Sequence, residues 1–327
     1  MRNNFKTTED LAQFVAQCFA GAVTDQEIES FLTAIASRKI NEQDLTALAR
    51  LMLQHAKKID FKSELLLDTC GTGGDQSHSF NLSTAAALLV ASFGVKVAKH
   101  GNRALTSQSG SADLLEALRI PIQLNPLAAA QVLKEEGFVF LFAPLYHGAT
   151  AQVQKVRRQL KIRTIFNLLG PLTNPAPITH QLVGIYDQAL LMPVAKTLQA
   201  LRRKRAWVVW GEGNLDEVSL LGKTFVAEVT PKKIREFSFT VEDAGLKPAL
   251  ASDLRGDTAQ KNADRLEKIF QGQEQDTPLV NAIALNVAAA LMVVGKVEDL
   301  KSGVRLAKTQ MASGLAFEYL NKIRQSN

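Results

Sequence analysis

LLLDTCGTGGDQSHSFNLSTAAALLVASFG, residues 65–94, decides how the rest of the chain is read. An apolar run of strand type reaches GTGGD, and small polar residues then lead into an Ala/Leu-rich helical segment. Strand, glycine turn and helix in this order bring the chain to the C-terminal end of a strand, where open parallel sheets take their ligands. Gly71, Gly73 and Gly74 let backbone N–H groups approach an anion without a Cβ in the way. Asn81, Ser83 and Thr84 stand where the next helix begins and add side-chain donors to its positive end. The spacing is not G-x-G-x-x-G, and no Gly-Lys-Ser/Thr follows to make a P-loop. A glycine turn with a Ser N-cap accounts for the same residues without a ligand, so this stretch alone leaves both readings open.

Ahead of it the chain reads as helices only. Thr24 and Glu27 form a capping box before Ile28, Phe31, Leu32 and Ile35, and Asn41 opens a helix carrying Leu45, Leu48 and Met52. This predicts a small helical domain over residues 1–64, with a contribution from about 148–178, and an α/β domain over 65–327. Within the latter, VKVAKH, FVFLFAP, LVGIY and AWVVWG are further apolar runs followed by helix-like sequence. The alternation argues for a mainly parallel central sheet flanked by helices. KTFVAEVT and KIREFSFT read as an antiparallel pair, and from about Thr258 the tail is helical.

With 327 residues, 46% hydrophobic and 21% charged, the chain has ample material for a buried core. Its formal charge of +6, from 38 Lys+Arg against 32 Asp+Glu, suits an anionic ligand and a lysine-dotted surface equally. Aromatics at 6% argue against a surface that stacks single-stranded nucleic acid. The densest basic run, Arg202-Arg203-Lys204-Arg205, reads as a solvated helix end. Cys18 and Cys70 make neither a disulfide framework nor a metal-ligand spacing. The first residues lack the apolar core of a signal peptide, and no run approaches a membrane span. The expectation is a cytoplasmic protein without nucleic-acid or membrane partners.

Three further stretches carry chemistry. VAKHGNRALTSQSGSADLLEAL, residues 97–118, puts Lys99, His100, Asn102 and Arg103 directly after a strand, followed by hydroxyls at Thr106, Ser107, Ser109 and Ser111. Cations with many small donors suit a diphosphate; a polar loop capped at Ser109 or Ser111 is the plain alternative. WGEGNLDEVSL places Asp216 and Glu217 after a strand, as hard oxygen ligands for Mg²⁺ beside a polyphosphate or as an ordinary exposed pair. FAPLYHGATAQVQKVRRQLKIRTIFNLLGPLTNP holds His147 and Arg157, whose planar fork suits a carboxylate, although solvated Arg pairs are common.

Taken together, GTGGD, NLST, KHGNR, S-x-S-G-S-A-D, FAP-x-YH, RTIFNLLGPLTNP and DEVS, in this order over about residues 24–325, resemble the anthranilate phosphoribosyltransferase family. The resemblance implies the nucleoside-phosphorylase-like phosphoribosyltransferase fold, a small helical domain beside a larger α/β domain, and a homodimer formed through the helical domains. It also implies transfer of the phosphoribosyl group of phosphoribosyl diphosphate (PRPP) to the amine of anthranilate in tryptophan biosynthesis. Carried over by position, Gly71, Thr72, Gly74, Asp75, Ser79, Asn81, Leu82, Ser83 and Thr84 would hold PRPP. Lys99, His100, Gly101, Asn102, Arg103, Ala104, Leu105, Thr106, Ser107 and Ser111 would complete that cradle. Gly71, Asn102, His147 and Arg157 would meet anthranilate, and Ser83, Asp216 and Glu217 would hold Mg²⁺, with two ions per site. No residue is assigned as a general acid or base. Association with a glutamine amidotransferase, known among relatives, is left open.

The chain departs from the family pattern at Gly148, where proline usually follows the histidine, at Arg119, where glycine is commoner, and in a slightly longer WGEGNLDE. A pyrimidine nucleoside phosphorylase would share the implied fold but use inorganic phosphate and no acidic pair. A nucleic-acid-binding relative without catalysis would have no use for Asn102, Arg157 and both carboxylates together.

Overall fold

The computed structural model describes residues 5–36, 38–75, 77–104, 108–160 and 162–325. Three helices come first, α1 (Thr8–Phe19), α2 (Asp25–Ala36) and α3 (Glu42–His55). Each starts at a side-chain cap: Thr7 with Asp10, Thr24 with Glu27, and Asn41 with Asp44. Ile28, Phe31, Leu32 and Ile35 form the buried face of α2, and Leu45, Leu48 and Met52 that of α3. The periodicity of 3.6 places them as expected.

Strands and helices then alternate: β1 (Leu67–Gly71), α4 (Leu82–Ala91), β2 (Val97–Gly101), α5 (Ser111–Ala117), α6 (Pro126–Glu136), β3 (Phe138–Phe142), α7 (Ala143–Tyr146), α8 (Ala151–Leu160), α9 (Ile165–Leu169), β4 (His180–Gly184), α10 (Leu191–Ala200) and β5 (Arg205–Gly211). The antiparallel pair β6 (Thr224–Val229) and β7 (Ile234–Phe239) precedes a helical tail of α11 (Ala259–Phe270), α12 (Pro278–Val293), α13 (Leu300–Ala312) and α14 (Leu315–Arg324). All strands join one sheet in the order β3-β2-β1-β4-β5-β6-β7, with the first five parallel. From β1 the chain builds outward to β3 on one side, then returns to β4 on the other. The crevice between β1 and β4 is therefore the topological switch point, the place where such sheets bind ligands.

Alternate strand residues face opposite layers. Leu67, Leu182, Trp207 and Val209 pack with α4 and α12, which are apolar all round because both are covered on every side. Cys70, Val183, Ala206 and Val208 face the other way, into a core shared with α10, α1–α3, α8 and α9. The N-terminal helices thus have no separate core; they bury their apolar faces together with one face of the sheet.

Two local expectations are corrected. The basic run after α10 is not simply a solvated helix end. Arg203 is buried and donates from Nε to Gln181 Oε1 at 3.0 Å and from Nη1 to Ile178 O at 3.2 Å, while Arg205 begins β5 and pairs with Glu228 at 2.7 Å. Their partners lie far away in sequence, so the run itself gave no sign of them. The N-cap of α5 is Gly110, not Ser109 or Ser111, and Asp113 Oδ2 takes the Gly110 N–H at 2.9 Å. Arg119 follows α5 at φ +61°, with its N–H on Glu116 O and the Ile120 N–H on Leu115 O. That is a Schellman ending, in which glycine is the relaxed choice.

Candidate active site

Glycines on two neighbouring strands make room for Asp216. Gly71 ends β1 and Gly184 ends β4; a Cβ on the first would stand 2.4 Å from Asp216 Oδ2, and one on the second 1.6 Å from the Asp216 carbonyl oxygen. A turn after β5, with Gly213 at φ +88° and Asn214 at φ +59°, lets the chain fold back so that Asp216 and Glu217 lie over the switch point. Asp216 Oδ2 accepts the Gly73 N–H at 2.6 Å, and Glu217 Oε1 accepts the Ser83 N–H in the first turn of α4 at 3.1 Å. Asn286 of α12 grips both the N–H and the carbonyl of Val218 at 3.0 Å, pinning the chain directly after the acidic pair.

Lys99 rises from β2 into the same space. Its side chain is buried, with Nζ donating to Thr69 O at 2.5 Å and Ser83 Oγ at 3.3 Å. Burial draws its pKa down, opposed by the charges of Asp68, Glu217 and Asp216 among others. Burial, then the neighbouring Asp75, pushes Asp216 up to about 7; burial, then Asp216, pushes Glu217 up to about 8. Like charges crowded out of water gain by taking a cation. Asp75 Oδ2 is buried with no hydrogen-bond partner among the described residues. Those residues contain no group of three His, Cys, Asp or Glu side chains placed to hold a metal by themselves. The unpartnered carboxylate oxygen and the hard oxygen donors of Asp216 and Glu217 fit Mg²⁺ as phosphate sites hold it, through one or two carboxylates with the remaining oxygens from substrate and water.

The loop after β2 closes a second side. Gly101 lies against Ser111, whose Oγ donates to Asn102 O at 3.2 Å; Asn102 O also takes the Ala112 N–H. Ala104 N–H donates to Asp113 at 3.0 Å. The Arg103 guanidinium is tied to Asp113 and Glu116 and lies over the Phe142 ring, so its charge is already paired rather than free for an anion. Leu105, Thr106 and Ser107 lie outside the described residues. On the first loop, Thr72 is buried with its N–H on Gly184 O and its Oγ1 unpartnered among the described residues. Gly74 adopts φ +74°, Ser79 bridges to Arg255, and Leu82 and Thr84 are buried in the first turn of α4.

His100, next on β2, points to the opposite face from Lys99. Its Nδ1 contacts Gly170 O at 3.2 Å and its ring lies 5.1 Å from that of His147, centroid to centroid. Burial lowers the pKa of both, that of His100 to about 3, so both rings are neutral at pH 7. Each leaves Nε2 without a partner among the described residues. Arg157, on α8, is buried and donates to Gln154 Oε1 at 3.2 Å and Asn167 Oδ1 at 3.0 Å, over the Phe166 ring. Burial lowers its pKa to about 10, its Nε is unpartnered among the described residues, and it stays charged at neutral pH.

The fold therefore brings Gly71, Asp75, Ser83, Lys99, Asp216 and Glu217 together, and sets His100 beside His147. Three participants went unread in the sequence. Gly184 was visible as a glycine inside the strand-like LVGIY, a sign of close backbone approach. Asn167, which orients Arg157, and Asn286 carried no local signal.

A parallel sheet covered by helices on both faces, with an acidic pair and a buried lysine over its switch point, is the build of an α/β ligand-binding domain. The model of the glycosyl transferase family a/b domain matches residues 63–317, and that of its helical bundle domain residues 6–56. The anthranilate phosphoribosyltransferase of Halalkalibacterium halodurans is 42% identical over 94% of this chain and 90% of its own length. Among solved structures, that of the Thermus thermophilus enzyme superposes with a TM-score of 0.90 at 39% identity, covering 98% of this chain and 95% of the other. The Saccharomyces cerevisiae enzyme, in complex with PRPP and Mg, gives 0.90 at 29% identity over 98% and 93%. The same yeast enzyme in complex with 4-fluoroanthranilate gives 0.88 at 27% identity, again over 98% and 93%. The chain belongs to the anthranilate phosphoribosyltransferase family.

Proposed function

We propose that this chain transfers the phosphoribosyl group of PRPP to the amine of anthranilate, releasing diphosphate. The observation that carries the reading is Asp216–Glu217 folded over Gly71 and Gly184 beside buried Lys99. The ligands of the yeast relatives, PRPP with Mg and 4-fluoroanthranilate, support it. Gly71, Thr72, Gly74, Asp75, Ser79, 81–84 and 99–107 with Ser111 form the PRPP cradle in this reading, Arg103 through its backbone because its guanidinium is paired with Asp113 and Glu116. Gly71, Asn102, His147 and Arg157 receive anthranilate, and Ser83, Asp216 and Glu217 would hold Mg²⁺, at two ions per site.

The bond between C1′ and the diphosphate oxygen breaks with its electron pair leaving on diphosphate, through an oxocarbenium-like state, as in glycosyl transfer generally. Asp216 and Glu217 would hold Mg²⁺, which would supply positive charge to the departing diphosphate. Lys99 adds a fixed, desolvated ammonium at the same place, where it acts more strongly than in water. Arg157 grips the anthranilate carboxylate and so orients a weakly nucleophilic aromatic amine toward C1′. The amine gives up its proton after the C–N bond forms, so neutral His100 and His147 need not act as strong bases. Phosphorolysis of a nucleoside by inorganic phosphate needs no acidic pair for Mg²⁺, so Asp216 with Glu217 favours PRPP as the substrate. The reading carries with it the homodimer through the N-terminal helices.

Anthranilate fluorescence tests it: the signal should fall when PRPP, Mg²⁺ and the protein are combined, and not when any one is left out. Persistent fluorescence together with phosphorolysis of a pyrimidine nucleoside would reverse the reading.

A further inference from the structure

Asn81 occupies the N-cap of α4, yet its side chain makes no cap hydrogen bond. An N-cap asparagine ordinarily places Oδ1 on the N–H of the second or third helical residue, here Ser83 or Thr84. Instead, Asn81 Oδ1 accepts from Nδ2 of Asn262, on α11, at 3.1 Å, and its own Nδ2 donates to Ser109 O at 3.0 Å. Asn262 is buried, and its Oδ1 accepts the Asp257 N–H at 2.9 Å. The relay has a backbone donor at one end, Asp257 N–H, and a backbone acceptor at the other, Ser109 C=O. Those ends leave one orientation for both amides, because an N–H only donates and a carbonyl only accepts.

The strand-like stretch before α4 is tied to the same segment. Phe80 N–H donates to Leu254 O at 2.8 Å and Gly256 N–H to His78 O at 2.9 Å. A Cβ on Gly256 would stand 2.9 Å from Ser79 O and 3.3 Å from Asn262 Nδ2, so the two segments approach as closely as glycine allows. With Asn81 drawn aside, the Ser83 N–H is left for Glu217, and the two phosphate-facing loops are joined through Asn81 and Ser109.

We propose that Asn262 is a positioning residue for PRPP: it holds the Asn81 carboxamide off the N-cap, which keeps Ser83 N–H and Glu217 together and fixes the second loop against the first. This rests on the function proposed above. Asn262 acts only through Asn81, so its effect falls on PRPP and not on anthranilate.

The test is a cycle of Asn262→Asp, Asn81→Ala and the double variant. Asn262→Asp keeps the acceptor for Asp257 N–H and replaces the donor facing Asn81 with an oxygen. Its KM for PRPP and its PRPP dissociation constant, measured calorimetrically with Mg²⁺ present, should rise about tenfold, as for loss of one buried hydrogen bond. The KM for anthranilate should change less than about twofold, and in the Asn81→Ala background Asn262→Asp should add almost nothing. Asn262→Leu, which carries no charge but also orphans the Asp257 N–H, should repeat the selective rise in the KM for PRPP. Equal effects in both backgrounds, parallel changes in both substrates, unchanged PRPP affinity, or failure of both Asn262 variants to fold would overturn the proposal. Wild-type protein run alongside separates the two claims. If it shows no PRPP-dependent consumption of anthranilate, the function is wrong; if it turns over normally while the variants match it, only the role of Asn262 is wrong.

Discussion

Around Lys99 the charges answer one another: Asp216 and Glu217 take backbone N–H groups, and the ammonium sits between Thr69 O and Ser83 Oγ. Around Arg157 and the two histidines, Nε of the arginine and both Nε2 atoms are buried without partners among the described residues, as Asp75 Oδ2 and Thr72 Oγ1 are on the first side, but here they belong to neutral rings and one cation. The first region is a charged cluster whose pairings a polyanion would rearrange under the proposed function. The second is a set of neutral rings and one cation whose unpartnered polar atoms a planar acid would meet under that proposal. Buried polar atoms without partners are costly, and a ligand that bonded them would offset that cost.

The comparison breaks most visibly if the ionic cluster is dispensable. Asp216→Asn with Glu217→Gln should cut turnover by about a thousandfold or more; steady-state anthranilate consumption at near-normal Mg²⁺-dependent rates would remove these carboxylates from the chemistry. A smaller effect should separate the second region from the first. Arg157→Lys keeps the charge and loses the planar fork, so the KM for anthranilate should rise about tenfold with that for PRPP nearly unchanged. Equal rises for both would show that the two regions act as one.

Acid titration sharpens the contrast without touching activity. The folded-state pKa values of about 7 for Asp216 and 8 for Glu217 lie above the ordinary values of 3.8 and 4.5. The folded protein then holds protons that the unfolded chain has released, so stability from these groups falls progressively as pH rises above the ordinary carboxyl range and is gone above about 8. His100 and His147 have the opposite sign, because their folded pKa values are depressed and they lose stability as pH falls below the ordinary histidine range. In denaturant titrations of ligand-free protein between about pH 6.5 and 8.5, wild type should lose at least about 1.4 kcal/mol relative to the Asp216→Asn, Glu217→Gln variant. A flat difference would mean that the cluster is not protonated when empty.

The smallest effect concerns the turn that carries His147. Gly148 opens a 3-10 turn, and a Cβ there would meet nothing within 4 Å. Proline at a first helical position is preorganised, so Gly148→Pro should stabilise the fold by roughly 0.4–1 kcal/mol in thermal unfolding, with kinetics unchanged. A change in the KM for anthranilate would show that the flexible turn itself serves the second region.

The strands carrying the ionic cluster were legible because apolar runs, GTGGD and the acidic pair are local patterns that need only their own few residues. The helical caps at Thr24 and Asn41 were legible for the same reason. What the chain did not disclose are partnerships across long separations. Arg203 looked like part of a solvated run but is buried against Gln181; Asn262 meets Asn81 only after the tail folds back; Asn167 turns Arg157 through a single hydrogen bond. Amides and arginines have no periodicity that marks them as buried, since their position follows from a partner rather than from hydrophobic pattern. Arg103 shows the converse: it stands in a motif that suggests a free cation, and two acids on the neighbouring helix claim it.

The most direct measurement is a crossed titration by anthranilate fluorescence, with PRPP and anthranilate each varied for wild type, Arg157→Lys and Asp216→Asn. Wild type should consume anthranilate only with PRPP and Mg²⁺ present. Arg157→Lys should shift the anthranilate curve alone, while Asp216→Asn should depress turnover and shift the Mg²⁺–PRPP curve. No PRPP-dependent loss of anthranilate by wild type, or variants that shift both curves equally, would contradict a site divided into a diphosphate wall and a carboxylate grip.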